Sequence, residues 1–232
     1  MANVLNFLIN LLKFPVAILM VALTFKSFTI LFELVVYIAH NYEAYKELIY
    51  GIFAYLVMWL LMFNIEEGQW FLTFEHELTH TIFALLTFHA ITDFRVTKSS
   101  GGHMVAERGE GNWLIAIAPY FFPTFSILIL IVIYLSKSSY HPLLIALLGY
   151  SIAYHLHSTI IETSLNQPDI KNGTGVAFAI LFLPAANFLA YIAVLSSIPG
   201  DNIYFHHIFS YLYDYTTNIW HNFILFISQL NH

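Results

Sequence analysis

The sequence predicts an all-α polytopic membrane protein of about six to seven transmembrane helices, with a short β-hairpin after the helix that carries an HExxH motif. Three observations lead there. Hydrophobic residues make up 59% of the 232-residue chain and charged residues only 9%, with mean hydropathy +0.72. A soluble domain carries about 25% charged residues, so this chain has too few to cover a water-facing surface. The apolar residues also fall in a series of long stretches, and one interval between them alternates apolar with polar.

Taken in order, residues 4–24 and 27–41 are apolar, interrupted at Lys26 and ended by the polar run His40–Lys46. They read as one long helix or as two segments. Lys13 interrupts the N-terminal stretch and no small-residue cleavage site follows it, so it reads as a retained helix. Residues 47–64 form the next span, closed by Asn64, Glu66, Glu67 and Gly68. Residues 69–90 form another, and spans follow at about 112–136, 141–164 and 174–197. The segment 203–230, rich in Tyr, His and Asn, suits the membrane interface, and His206, His207, His221 and His232 belong there. Between 90 and 112, Phe94-Arg95-Val96-Thr97 alternates, Ser99-Ser100-Gly101-Gly102 reads as a turn, and Met104-Val105-Ala106 follows, which is a hairpin pattern. Arg95, Lys98 and Arg108 in that loop, with Lys171 in the 165–173 loop, place the hairpin side in the cytoplasm. Lys137, Glu66 and Glu67 lie opposite. No repeat, low-complexity tract or soluble domain is visible, so residues 1–232 read as a single membrane domain.

Several function classes fall away. Eight Lys+Arg against fourteen Asp+Glu give a net charge of −6, and no basic face is available for nucleic acid. With no Cys, disulfides, iron–sulfur clusters, thiolate zinc sites and a cysteine nucleophile are excluded.

Within the 69–90 span stands His76-Glu77-Leu78-Thr79-His80. Residues four apart share a helical face, so the two imidazoles can bind one Zn²⁺ and Glu77 can take a proton from water that the metal activates. From this composition the motif is expected by chance roughly 0.03 times. Its location adds weight: Glu75, His76, Glu77 and His80 crowd a turn and a half of an apolar helix, where ionisable groups are costly and usually mark function.

A catalytic zinc takes a third protein ligand and keeps one position open. Asp169, Glu162, His155, His157, His103 and His89 are the candidates. Asp169 follows Pro168, which breaks a helix, on a short turn that could fold back toward the two His. Glu162 lies seven residues beyond His155, on the same helical face, so the pair could line one cavity. His155 and His157 are also candidates to support the ligands or to donate to an oxyanion, and Asn166 and Glu162 are further supporting candidates.

An HExxH within a transmembrane helix, then a strand-like hairpin, a span and the turn Leu165-Asn166-Gln167-Pro168-Asp169 resembles the site-2 protease family of intramembrane zinc metalloproteases, over about residues 69–175. The resemblance implies His76, His80 and Asp169 as zinc ligands and Glu77 as the catalytic base. It also divides the chain into N-terminal helices (1–64), a metalloprotease-like core (65–175) and C-terminal helices (176–232). The implied activity is hydrolysis of peptide bonds in a transmembrane protein or peptide, within a lipid bilayer, with the 92–107 hairpin pairing with the extended substrate. The expected setting is a multi-pass protein of the cell (plasma) membrane. Two other functions fit the motif less well: a catalytically silent scaffold that keeps a structural metal, and a metal or proton transporter lined by His76, His80, His155, His157 and Asp169. Transporters often carry paired halves, and no internal repeat is present.

Overall fold

The structure, a computed structural model, describes residues 1–62, 66–97, 101–106 and 111–199, with 210, 213–218, 220–222, 224–225 and 228–229. Helix α1 (Ala2–Leu11) runs into α2 (Lys13–His40) with only Leu12 between them. The interruption falls there and not at Lys26, which corrects the sequence reading. Pro15 has no N–H to give the Leu11 carbonyl four residues back, and its ring crowds that carbonyl. Lys26 sits inside α2, its Nζ 5.9 Å from the Tyr215 ring centroid, an electrostatic partner that lets a cation stay in an apolar helix.

Helix α3 (Lys46–Met62) pairs with α7 (His141–Glu162), and α2 with α8 (Val176–Ser196). The α3–α7 contact is backbone on backbone. A Cβ on Gly51 would strike the Ala146 carbonyl, and one on Gly149 would strike that of Leu48, the close approach that small residues allow between apolar helices. Ile30, Leu34, Leu48, Leu148 and Ile192 form the core between these helices. Outward, α2 exposes Phe14, Ile18, Phe25 and Phe32, a surface suited to lipid rather than water.

Helix α4 (Glu66–Leu86) is followed by a turn at Phe88, whose φ of 62° directs the chain into the hairpin. Strand β1 (Ile91–Thr97) pairs antiparallel with β2 (Gly101–Ala106), with Phe94 opposite Met104 and Val96 opposite Gly102. One face of the hairpin lies on α4: Trp70 Nε1 donates to the Val96 carbonyl at 3.3 Å, and Phe94 meets Phe74 edge-on at 6.1 Å.

The stretch read as a span at 112–136 is broken. Helix α5 (Trp113–Ile117) continues as a turn of 3₁₀ helix to Tyr120, then meets α6 (Thr124–Leu135) at 81°. Pro119 and Pro123 account for it: neither has an N–H, and four residues apart they cannot share a helical ladder. Asn112 caps α5 through its Oδ1, which accepts from the Leu114 and Ile115 amides. Helix α1 clamps this short helix, because Asn112 Nδ2 donates to Asn6 Oδ1 at 2.7 Å and Trp113 Nε1 to the Ile9 carbonyl at 2.7 Å.

Among the described residues three helices are long and apolar enough to cross a membrane: Lys13–His40, Ser138–Glu162 and Val176–Ser196. They become four if the bent pair is one span. Asn64, Lys98, Ser99, Ser100, Arg108, His206, His207 and His232 lie outside the described residues, as do the side chains of Glu66 and Glu67. Of the 203–230 segment, residues 213–218 are helical and exposed His221 is described; Tyr215 Oη donates to the Ala22 carbonyl at 3.4 Å.

Candidate metal centre

Helical spacing puts His76 and His80 on one face of α4, with ring centroids 4.7 Å apart. The acceptors around them set their tautomers. His80 Nδ1 lies 2.8 Å from the Ile115 carbonyl and His76 Nδ1 3.3 Å from a Glu162 carboxylate oxygen. A carbonyl and a carboxylate accept, so each Nδ1 is placed to donate and each Nε2 is left to offer a lone pair to a metal. Those two Nε2 atoms face each other at 3.1 Å, and both lie 3.4 Å from Asp169 Oδ2. Two imidazole nitrogens and one carboxylate oxygen thus converge on one point, a donor group that could hold a cation.

The three donor atoms all lie within 4.8 Å of one another. Donors bonded to zinc at 2.0–2.1 Å in a tetrahedron sit about 3.3 Å apart, close to the spacings found. Two imidazoles and one carboxylate with an open side also match the donor set of catalytic zinc. The residues fit the ion.

Asp169 arrives from the chain after α7. A turn of π helix, Asp169–Thr174, follows Pro168. It is anchored by fully buried Ile170 in the cluster of Trp113, Ile117 and Phe178, and by Gly173, where a Cβ would come 2.8 Å from that of Ala116. The fold-back anticipated for this turn is therefore produced by α5 packing on it. Tyr120, 1% exposed, donates its hydroxyl to Asp169 Oδ2 at 3.1 Å and sets its ring edge-on to His76 at 5.3 Å.

A cavity of about 580 Å³ opens beside these groups, lined by Glu77, Gly102, His103, Met104, Asp169 and Asn172 among others. Strand β2 forms one wall and the π turn the other. Gly102 lies directly on Glu77: a Cβ there would strike Glu77 Cγ, and would come 2.6 Å from Thr73 Cγ2 and 2.7 Å from Glu77 Oε1. The strand bordering the cavity is β2; none of the Phe94–Thr97 stretch of β1 lines it.

The other candidates have other surroundings. His89 takes Asn6 Nδ2 at 2.9 Å and lies 3.0 Å from Thr87 Oγ1, away from the donor group. His103 lines the cavity but is exposed on β2. His155 is buried against Tyr191, with ring centroids 5.8 Å apart. It shares a helical face with Glu162, as expected, yet seven residues are about 10.5 Å along the axis, so only Glu162 reaches His76. His157 Nδ1 lies 2.6 Å from the Tyr55 hydroxyl and faces α3. Asn166 is exposed and outside the cavity lining, where Gln167 and Asn172 stand instead. Glu75, 1% exposed, faces the other way, toward the start of α6, where Thr79 and Thr124 join hydroxyls. Sequence reasoning passes over Tyr120, Gly102 and the Ile115 carbonyl, since a tyrosine, a glycine and a backbone oxygen in such stretches carry no local signal.

Searches of the curated proteins and of the solved structures return no significant match. Residues 48–183 match the Peptidase M50B-like family, which takes in most of α3, the HExxH helix, the hairpin, the bent pair, α7, the π turn and the start of α8. With that match over more than half its length, and in keeping with its likeness to the site-2 proteases, the chain belongs to the Peptidase M50B-like family and is an integral membrane protein related to membrane metalloproteases.

Proposed function

We propose that the protein is an intramembrane zinc metalloendopeptidase that hydrolyses peptide bonds of transmembrane proteins or peptides. The observation that carries this reading is the convergence of His76 Nε2, His80 Nε2 and Asp169 Oδ2 beside Glu77 at the wall of one cavity. His76, His80 and Asp169 would hold the ion, and when bound, zinc supplies Lewis-acid activation of water and of the scissile carbonyl. Glu77 accepts the proton of the attacking water on its carboxylate and passes it to the leaving amide nitrogen, so that hydroxyl ends on carbon and hydrogen on nitrogen. Tyr120 and the Ile115 carbonyl hold Asp169 and His80 in place from behind.

A helical substrate hides its carbonyls in i→i−4 bonds and must open before attack. The sheet is two-stranded, so the outer edge of β2 has no strand partner among the described residues, and that edge borders the cavity. It would take the unwound substrate as an added strand. In this reading α3, α4 and the bent α5–α6 pair cross the bilayer with α2, α7 and α8, giving six spans, and the protein resides in the cell (plasma) membrane.

Glu77→Gln tests the proposal on protein purified in detergent and returned to lipid, with a transmembrane peptide as substrate. Retained zinc with cleavage lost supports it, because the amide cannot take a proton. Cleavage at the wild-type rate would overturn the base, and a wild-type protein that takes up no zinc would overturn the metal centre. A silent scaffold has no use for Glu77, and a transporter would move zinc into proteoliposomes.

A further inference from the structure

We infer that Glu162 is a positioning residue of the metal centre, acting through His76 without touching the ion; the inference rests on the zinc reading above. Glu162 closes α7, a helix that gives no donor to the three-atom group. Its Oε2 lies 3.3 Å from His76 Nδ1, on the edge of the ring turned away from His80 and Asp169, which face Nε2. A carboxylate that accepts the Nδ1 hydrogen cannot at the same time reach a cation held at Nε2, so Asp169, and not Glu162, is the third donor.

The same Oε2 accepts the Ser158 hydroxyl at 3.2 Å, from one turn earlier on α7. Ser158 is 1% exposed and the Glu162 side chain 16%, so bulk water competes little for either. The serine braces the carboxylate, and the carboxylate sets the tautomer and angle of the imidazole. A carboxylate behind a metal-binding imidazole also makes the ring a better donor. The Ile115 carbonyl does the same for His80, but as a neutral acceptor from the backbone, so Glu162 is the side chain through which one substitution can retune the centre.

The test is zinc affinity by chelator competition on the full-length wild type, Glu162→Ala, Glu162→Gln, Ser158→Ala and Asp169→Ala, with the visible spectrum of the cobalt-loaded forms. Removal of such a partner weakens metal binding 10–100-fold. Glu162→Ala is expected in that range, and Glu162→Gln to lose less, since its amide oxygen can still accept from Nδ1. Ser158→Ala should lose least. The cobalt spectrum of both Glu162 variants should keep the wild-type coordination pattern, while Asp169→Ala changes it. Glu162→Ala that binds zinc as the wild type does, with only its thermal stability reduced, would reduce Glu162 to a tie between helices and overturn the inference. A cobalt spectrum altered in Glu162→Gln but not in Asp169→Ala would make Glu162 the ligand and overturn it too. A wild type that binds no zinc defeats the metal reading itself, a result distinct from either.

Discussion

Gly102→Ala is the most telling perturbation of the site outside the HExxH motif. The added Cβ would lie 2.7 Å from Glu77 Oε1 and 2.6 Å from Thr73 Cγ2, while ordinary contact starts at 3.4 Å. Glu77 Cγ is struck first of all, so Glu77 or the strand must retreat by about 1 Å, against contacts that are optimal at 3.5–4.0 Å. Strand β2 is held to its partner by the Phe94–Met104 and Arg95–His103 pairings and rests on α4 through Met104, so the carboxylate is the freer of the two to move. A misplacement of about 1 Å in a catalytic group costs on the order of 100-fold in rate, about 2.7 kcal/mol of barrier. The His–His–Asp donors are not among the atoms struck. The expected result is cleavage of a transmembrane peptide in nanodiscs reduced 10–100-fold in kcat, with zinc stoichiometry equal to wild type. Full activity in Gly102→Ala, at unchanged zinc, would refute the claim that the hairpin backbone positions the base.

Two further outcomes follow from the packing around the centre. Gly149→Ala sets a methyl against the Leu48 carbonyl, where backbone meets backbone on both sides and neither can yield; a loss of about 1–3 kcal/mol is expected, read as a lower melting temperature in detergent with zinc binding intact. Tyr120→Phe removes the hydroxyl that donates to Asp169 but keeps the ring on His76. Zinc binding should weaken about 10-fold or more, while His89→Ala, whose ring serves Asn6, should leave zinc affinity alone; equal effects of the two would contradict the assignment.

Much of the site is legible in the chain because its strongest element is local. Two His four apart on a helix share a face whatever surrounds them, and a polar turn in an apolar helix is conspicuous on cost alone. The hairpin is local too: alternation and turn residues announce two strands, and both form at 91–97 and 101–106, although the glycine pair read as part of the turn belongs to β2, with Gly101 opposite Thr97 and Gly102 opposite Val96. Even the bend after Tyr120 is written in Pro119 and Pro123, although hydropathy by itself reads that stretch as a straight span.

What the sequence by itself determined is thus the membrane setting, the HExxH face with Glu77 beside it and the hairpin, all products of composition or of short spacings. Tertiary structure alone brings Asp169, and not Glu162, to the two Nε2 atoms, although the two sit seven residues apart and offer the same functional group. The physical reason is that an imidazole has two nitrogens on opposite edges. Packing of Ile170 and Gly173 against α5 brings Asp169 to the Nε2 side, and the end of α7 delivers Glu162 to Nδ1. No local pattern encodes which edge a distant carboxylate will meet. The same holds for Gly102 and Tyr120, whose roles exist only where β2 lies over Glu77 and where the broken helix turns Tyr120 toward Asp169.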